Sequence, residues 1–178
     1  TGEANNRNSS AWGDGVYKSV DGGKSFVNVG LKETHQIARI VTHPTDSNIL
    51  FVAAVGHLWG YSGDRGLFRT RDGGESWEKL TNGLPDDNKT GCTEIAMDPS
   101  NPNILYAGMY HRIRTPWSMY SGGENGGIFK SIDGGESWTK LTNGLPTGET
   151  GRIVISIHRA NPDIIAAYVE ASQKISDD

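Results

Sequence analysis

A phrase of twenty residues occurs twice in this chain with few changes. It reads GLFRTRDGGESWEKLTNGLP at residues 66–85 and GIFKSIDGGESWTKLTNGLP at residues 127–146, and a looser copy, GVYKSVDGGKSFVNVGL, occupies residues 15–31. Each copy alternates apolar and polar residues, turns at Asp-Gly-Gly and then places an aromatic residue at a fixed offset. Such alternation on both sides of a Gly-rich turn is typical of a β-hairpin, so the sequence predicts the same hairpin three times.

The core of each copy is Ser or Thr, then Asp two residues later, Gly after two more, and an aromatic after three more. An Asp that opens a turn accepts hydrogen bonds from backbone N–H groups a few residues later, and glycine supplies the positive φ that such turns need. We expect the aromatic to fold back over the turn and close the end of its hairpin. The predicted structural residues are Ser19, Asp21, Gly23 and Phe26; Thr70, Asp72, Gly74 and Trp77; and Ser131, Asp133, Gly135 and Trp138.

A second phrase recurs between these hairpins. Each occurrence is a β-rich run, a turn rich in Pro, Asn and Asp, and another β-rich run, which predicts a further hairpin. The occurrences are residues 37–56, 93–110 and 152–170. A polar side chain opens each turn and is expected to cap it: His43, Asp98 and His158. Joined in order, strands A and B of this phrase and strands C and D of the first phrase make four antiparallel strands, which is one blade of a β-propeller.

With three copies of this Ser/Thr-Asp-Gly-aromatic motif, the chain resembles the Asp-box (BNR) repeat family, in which the motif is called an Asp box. The family includes sialidases, xyloglucan-cleaving glycosidases and sortilin-type Vps10 receptors. The resemblance implies that each box joins the third and fourth strands of a propeller blade and serves a structural purpose. The box residues Asp21, Asp72 and Asp133 are separated by 51 and 61 residues, a spacing that indicates a repeat array or propeller. Residues and resemblance together predict an all-β, incomplete β-propeller.

The repeat spacing also predicts the blade boundaries. Residues 1–30 would form the end of one blade, 31–84 a second, 85–147 a third, and 148–178 the first strands of a fourth. Closed propellers usually have about four to eight blades, and the chain starts with Thr1 rather than Met. We therefore expect a fragment whose remaining blades come from the parent chain or from other copies.

Composition narrows the classes of function. The net charge is −4 with no basic run, which argues against a nucleic-acid partner, and no apolar stretch approaches the roughly 20 residues of a membrane span. The five histidines lack the spacing of a zinc site, and no cofactor or metal is predicted. Cys92 has no second cysteine with which to form a disulfide. It is either a small buried residue or a reactive thiol, and the first reading is favoured.

Antiparallel strands place the A–B turns and Asp-box turns at one end of the propeller and the B–C and D–A loops at the other. The B–C loops, residues 1–15, 57–66 and 111–127, are long, Gly-rich and contain Trp, and such loops on a rigid scaffold usually carry function. The alternative is that their aromatic residues only pack their own loops against the sheets. The candidate ligand-binding residues are Trp12, His57, Trp59, Tyr61, His111, Arg112, Arg114, Trp117 and Tyr120.

Three functions fit this pattern. The favoured one is a noncatalytic scaffold, secreted, periplasmic or at the cell surface, that binds a carbohydrate, peptide or partner protein. The second is part of a glycoside hydrolase, which needs two carboxylates about 5–10 Å apart. Its candidates on this face are Glu3, Asp14, Asp64 and Glu124; sialidases also use three arginines, for which Arg7, Arg112 and Arg114 are present. The third is an assembly element of a larger complex. The resemblance implies that strand A runs closest to the propeller axis, and repeat alignment pairs Arg39 with Glu94 on neighbouring A strands. The pair is either an axial salt bridge or a polar site that lines the channel, and the salt bridge is favoured.

Overall fold

The computed structural model of the chain describes residue 2 and residues 11–172. Within these residues lie thirteen β-strands and one short 3-10 helix, Lys32–Thr34. The strands are β1 (Tyr17–Lys18), β2 (Val27–Asn28), β3 (Ile37–Thr42), β4 (Leu50–Ala54), β5 (Gly66–Thr70), β6 (Glu78–Leu80), β7 (Thr90–Met97), β8 (Leu105–Arg114), β9 (Met119–Ser121), β10 (Gly127–Ser131), β11 (Thr139–Lys140), β12 (Thr150–Ile157) and β13 (Ile165–Ala171). The prediction of an all-β chain is confirmed.

The strands form antiparallel sheets in chain order. Sheet I has the order β3-β4-β5-β6, and sheet II has the order β7-β8-β10-β11 with β9 added to the end of β8. Strands β1 and β2 form an amino-terminal hairpin, and β12 and β13 form a carboxy-terminal hairpin. Sheets I and II therefore each show the four-stranded arrangement that the two recurring phrases predict.

The turns separate into two ends, as expected from the antiparallel order. Strands A to D are β3, β4, β5 and β6 in sheet I and β7, β8, β10 and β11 in sheet II. At one end of each sheet the A–B turn is hydrogen-bonded to the Asp-box turn: Gly73 N donates to Asn48 O at 2.9 Å, and Gly134 N donates to Asn103 O at 3.0 Å. At the other end the B–C loop holds a D–A loop, since Ser62 N donates to the oxygen of residue 88 at 3.1 Å.

Each Asp-box turn is held by the same hydrogen bonds. In sheet I, Thr70 Oγ1 donates to Asp72 Oδ1 at 2.7 Å and accepts from Gly74 N at 2.9 Å, while Ser76 N donates to Asp72 Oδ1 at 2.9 Å. The same three bonds recur in the other two boxes. The hydroxyl and backbone N–H of Ser25 lower the pKa of Asp21 to about 2. The carboxylate form is therefore the one that holds the turn together.

The box aromatics pack against the sheet that precedes them. Trp77 Nε1 donates to Val29 O of the amino-terminal hairpin at 2.7 Å. Trp138 also donates within its own turn, to Gly135 O at 3.2 Å, but its ring lies in the buried cluster between sheets I and II. Phe26, whose hairpin has no preceding sheet among the described residues, remains 60% exposed. The prediction that each aromatic closes the end of its own hairpin is thus only partly correct. Trp77 and Trp138 pack mainly against the preceding hairpin or sheet, because it offers these rings more apolar area to bury.

Strands β3 and β7 carry the expected ion pair. Arg39 Nε lies 3.3 Å from Glu94 Oε1, between β3 and β7, so the predicted salt bridge is confirmed. Burial raises the pKa of Glu94, and the charge of Arg39 acts in the opposite direction.

The single cysteine, Cys92, is fully buried, and burial raises the pKa of its thiol to about 12. The reading of Cys92 as a small buried residue is therefore confirmed.

The predicted turn caps are also present. His43 Nδ1 accepts from Asp46 N at 3.1 Å, and His158 Nδ1 accepts from Asn161 N at 3.0 Å. Asp98 Oδ1 takes the same role in sheet II, accepting from the backbone N–H groups of residues 100 and 101 at 2.7 and 3.1 Å. These side chains are accounted for by turn geometry and need no functional explanation.

Candidate ligand-binding face

The B–C and D–A loops gather at the end of the sheets opposite the Asp-box turns, and we call this end the loop face. Among the described residues it comprises residues 11–15, 31–36, 56–66, 86–92, 111–126 and 146–151. It contains the candidate ligand-binding residues and the histidine at position 35.

A buried arginine holds the loops together. Arg65 is 1% exposed, and its Nη1 donates to Arg112 O at 2.9 Å, to Lys89 O at 3.1 Å and to Val55 O at 3.4 Å. Its Nη2 donates to Gly60 O at 3.1 Å and also to the carbonyl of residue 57. One guanidinium therefore fixes segments of sheet I, sheet II and the loop between them.

Burial lowers the pKa of Arg65 to about 10, so the group stays charged at neutral pH. Arg65 is not among the residues predicted from the sequence. The position equivalent to Arg65 in the next repeat is occupied by Gly126. Because the residue differs between the repeats, comparing them does not indicate a role for Arg65. In the structure Gly56 packs directly on this side chain, since a Cβ at Gly56 would lie 2.7 Å from the Cβ of Arg65.

The first aromatic group on the face is a cluster of Trp12, His35 and His57, whose rings are tilted against one another. The imidazole centroids are 3.4 Å apart, and the Trp12 ring lies 4.8 Å from His35 and 6.1 Å from His57. Burial, followed by the neighbouring His35, lowers the pKa of His57, which favours a neutral ring at pH 7. Trp12 itself is 67% exposed, so the cluster presents an indole to solvent beside two imidazoles.

The second group pairs two aromatic residues of the B–C loop at residues 57–66 with cations from neighbouring segments. The guanidinium of Arg114 lies over the Trp59 ring at 5.7 Å, and the ammonium of Lys89 lies over Tyr61 at 5.6 Å. Arg114 N also donates to Leu58 O at 2.8 Å, so the backbone holds the first pair in place. These contacts combine flat apolar rings with positive charge on one surface.

The third group lies on the hairpin of β8 and β9. The rings of His111 and Tyr120 are 6.3 Å apart and nearly parallel, at 17°. Burial lowers the pKa of His111. Arg112 Nη1 donates to the Tyr110 hydroxyl at 3.1 Å, and Trp117 at the tip of the hairpin is 85% exposed.

The structure thus places all nine candidate residues on the loop face, in three groups. His57 and His111, which begin equivalent B–C loops, contact different aromatic neighbours. Most of the aromatic candidates are well exposed: Trp12, Trp59, Tyr61, Trp117 and Tyr120. This exposure favours the binding reading over rings that only pack their own loops.

Carboxylates on the loop face are used by the loops themselves. Asp14 accepts from the Tyr17 hydroxyl at 2.8 Å, and Asp64 accepts from Ser62 Oγ at 2.7 Å. Burial acts to raise the pKa of Asp87, but hydrogen bonds from the side chain of Asn125 and from residues 89 and 90 outweigh it and lower the pKa to about 2. The remaining acidic candidate with a described position, Glu124, supplies its backbone oxygen to Lys140 Nζ.

Two residues considered for catalysis, Glu3 and Arg7, lie outside the described residues. Across residue 2 and residues 11–172, no group of three or more His, Cys, Asp or Glu side chains is arranged to hold a metal ion. In the same part of the chain, no helix has the length and apolar character needed to cross a membrane.

Four-stranded antiparallel sheets whose last two strands are joined by Asp-box turns, with irregular loops at the opposite end, define a segment of a β-propeller. Comparison with known proteins agrees with this assignment and identifies the family. The profile of the Sortilin-Vps10 family (sortilin, neurotensin receptor 3) matches residues 14–178. The chain therefore belongs to this family, and the suspected relationship is confirmed.

Two relatives show how small a part of a larger protein this sequence matches. A probable oligoxyloglucan-reducing end-specific xyloglucanase of Neosartorya fischeri is 28% identical over 132 residues, which cover 71% of this chain and 14% of that protein. Vacuolar protein sorting/targeting protein 10 of Colletotrichum graminicola is 26% identical over 101 residues, or 56% of this chain and 6% of that protein. The chain thus spans about one seventh or less of these relatives.

The fold is also that of a solved enzyme structure. The crystal structure of an ancestral GH74 enzyme superposes with a TM-score of 0.65 and 22% identity, covering 88% of this chain and 20% of that one. At this identity the similarity establishes the fold alone. The prediction of an incomplete propeller is confirmed.

Proposed function

We propose that this chain is a noncatalytic propeller segment whose loop face binds a carbohydrate, a peptide or a partner protein. The observation that carries the proposal is the row of exposed aromatic rings on the loop face, anchored below by the buried guanidinium of Arg65. Rigid rings bury apolar area at low entropic cost, and adjacent polar groups fix the orientation of a ligand.

The relatives support more than one ligand class. One is named for the reducing ends of xyloglucan oligosaccharides and the other for vacuolar sorting. A sugar ring would stack on Trp59 or Tyr61, while Arg114 and Lys89 beside them would donate hydrogen bonds to hydroxyl or carboxylate oxygens of the ligand. The remaining blades would come from the parent chain or from other copies, in a protein that is secreted, periplasmic or at the cell surface.

Part of a secreted glycoside hydrolase is the second candidate. It is supported by the similarity to the Neosartorya xyloglucanase and would place its acid and base partly outside this segment. Against it, Asp14 and Asp64 are both hydrogen-bonded within their own loops. A hydrolase needs one carboxyl group free to donate a proton to the leaving oxygen.

Calorimetric titration with xyloglucan oligosaccharides, and separately with a peptide library, tests the proposal. Replacing Trp59 or Tyr61 with alanine should weaken binding by about 0.5–1.5 kcal/mol, roughly 2- to 10-fold. Phe26→Ala is the matched control, because Phe26 is a similarly exposed ring at the Asp-box end. A loss of affinity with Phe26→Ala but not with the loop variants would contradict the proposal. Release of new reducing ends during the titration would favour the hydrolase instead.

A further inference from the structure

The B–C connection of sheet II contains a hairpin that sheet I lacks. Strand β8 is ten residues long, whereas its equivalent β4 has five, and the last residues of β8 pair with β9. The ladder with β7 ends at His111 and the ladder with β10 ends at Met109, so residues 112–114 extend past the sheet. We call residues 112–121 the arm. Sheet I completes its four strands without such a hairpin, so the blade itself does not require the arm.

The base of the arm is held firmly. Arg65 Nη1 donates to Arg112 O at 2.9 Å, and Arg114 N donates to Leu58 O at 2.8 Å. Ile113, which lies between the two arginines in the strand, is fully buried. Successive residues of a strand point to opposite faces, so Arg112 and Arg114 lie on the face away from this buried side chain. The arm therefore has a rigid base and an outer face that carries two guanidinium groups.

The tip of the arm is a closed turn with an exposed indole. Thr115 N donates to Ser118 O at 2.8 Å, and Ser118 N donates back to Thr115 Oγ1 at 3.0 Å. Within the turn, Pro116 fixes its own φ. Trp117 is 85% exposed, and Met119 beside it is also exposed. Because the turn is already ordered, little backbone entropy is lost when the tip binds a surface.

Charge around the arm has one sign. Residues 99–123 contain no Asp or Glu, although the whole chain has a net charge of −4. Arg112 and Arg114 both lie within this stretch. Glu124 follows it, at the base of the loop, where its backbone oxygen accepts a hydrogen bond from a lysine of β11. An acid-free surface that combines arginines with exposed apolar side chains attracts an anionic partner.

The shape of the arm separates the classes of anionic partner. The arm is a narrow two-stranded ribbon that ends in a turn. A small ligand needs a concave site, and a stable protein interface needs about 800 Å² on each partner. A lipid bilayer needs neither, since a convex tip can place an indole among the headgroups while basic side chains meet anionic lipids. Shape and charge together favour a lipid surface.

We propose that the arm binds the surface of an anionic lipid bilayer. Trp117 and Met119 enter the headgroup region, and Arg112 and Arg114 face the lipid phosphates. This contact goes beyond the sugar or protein binding proposed above. Vesicles alone test it, so failure of one proposal leaves the other standing.

The test is flotation of the full chain with phosphatidylcholine vesicles that contain about one third phosphatidylglycerol, compared with phosphatidylcholine alone. We expect binding to the anionic vesicles only, and weaker binding as salt screens the surface potential. Trp117→Ala should lower the partition coefficient at least about 5-fold, because the indole no longer leaves water. Arg112→Gln and Arg114→Gln should each lower it about 5-fold.

Matched controls change the same kinds of side chain at the Asp-box end. Phe26→Ala and Lys24→Gln each alter an exposed residue there and should bind vesicles like the wild type. Trp117→Phe should keep most of the binding, but lipids brominated on their acyl chains should quench its fluorescence less than that of the wild type. Urea midpoints confirm that every variant is folded.

Three results would overturn the proposal. The first is no binding to the anionic vesicles, or equal binding to both kinds. The second is anionic binding that Trp117→Ala and the arginine variants leave unchanged. The third is a dimer, seen by sedimentation without lipid, that is lost with Trp117→Ala, because a second copy would then cover the tip.

Discussion

Trp138→Ala and Phe26→Ala change the same position of two Asp-box repeats, and we expect very different losses of stability. Trp138 is 5% exposed and Phe26 is 60% exposed. An aromatic side chain buries about 150–250 Å² when fully enclosed. The difference in exposure therefore means that Trp138 buries about 80–140 Å² more side-chain area than Phe26. At about 25 cal/mol per Å², Trp138→Ala should lower the free energy of unfolding by about 2–3.5 kcal/mol more than Phe26→Ala.

Urea unfolding followed by far-UV circular dichroism measures both losses without relying on the tryptophan that is removed. The slope of the free energy against urea concentration should be the same for both variants, which makes the midpoints comparable. Trp138→Ala also removes the hydrogen bond from Trp138 Nε1 to Gly135 O, at 3.2 Å. This loss should lower the free energy of unfolding further, by about 0.5–1.5 kcal/mol. Equal destabilisation by the two variants would refute the reasoning that the aromatic acts between sheets.

Three further predictions concern individual side chains. Hydrogen bonds from Ser25 lower the pKa of Asp21 from 3.8 to about 2. The contribution of the Asp21 carboxylate to the stability of the fold should therefore be complete above pH 4 and be lost as the pH falls towards 2. The urea midpoints of the wild type and Asp21→Asn should converge below pH 2. Arg65→Lys cannot reach all five carbonyl groups and should cost about 1–3 kcal/mol with faster hydrogen exchange at residues 57–62; unchanged exchange there would contradict the role of Arg65 as a clamp. Because Cys92 is fully buried with its pKa raised to about 12, its reaction with a thiol reagent at pH 8 should follow the urea unfolding curve; rapid labelling in the folded state would contradict its burial.

Local features of the fold were predictable from the sequence, because their causes lie within a few residues. The Asp-box hydrogen bonds need only a hydroxyl, a carboxylate and glycines at fixed offsets, and these recur in the repeats. The caps at His43 and His158 follow from the same logic. Even the pairing of Arg39 with Glu94 could be inferred, since equivalent positions of neighbouring repeats lie side by side.

Features that depend on non-repeated contacts were not predictable. Arg65 acts through carbonyl groups of three separate segments, and carbonyl groups leave no trace in the sequence. The contact of His35 with His57 joins a D–A loop to a B–C loop, and loop conformations of this kind are not encoded by periodicity. Packing of Trp77 on Val29 likewise required knowing the angle between successive sheets.

The most direct test of the account uses the five tryptophan indole signals in a ¹H–¹⁵N spectrum, recorded while xyloglucan oligosaccharides or library peptides are added. Three indoles lie on the loop face, at Trp12, Trp59 and Trp117, and two lie between sheets, at Trp77 and Trp138. The account predicts that a ligand shifts signals of the first set and leaves the second set unchanged. Shifts confined to Trp77 and Trp138 would contradict it, because binding would then involve the packed sheet interfaces rather than the loop face.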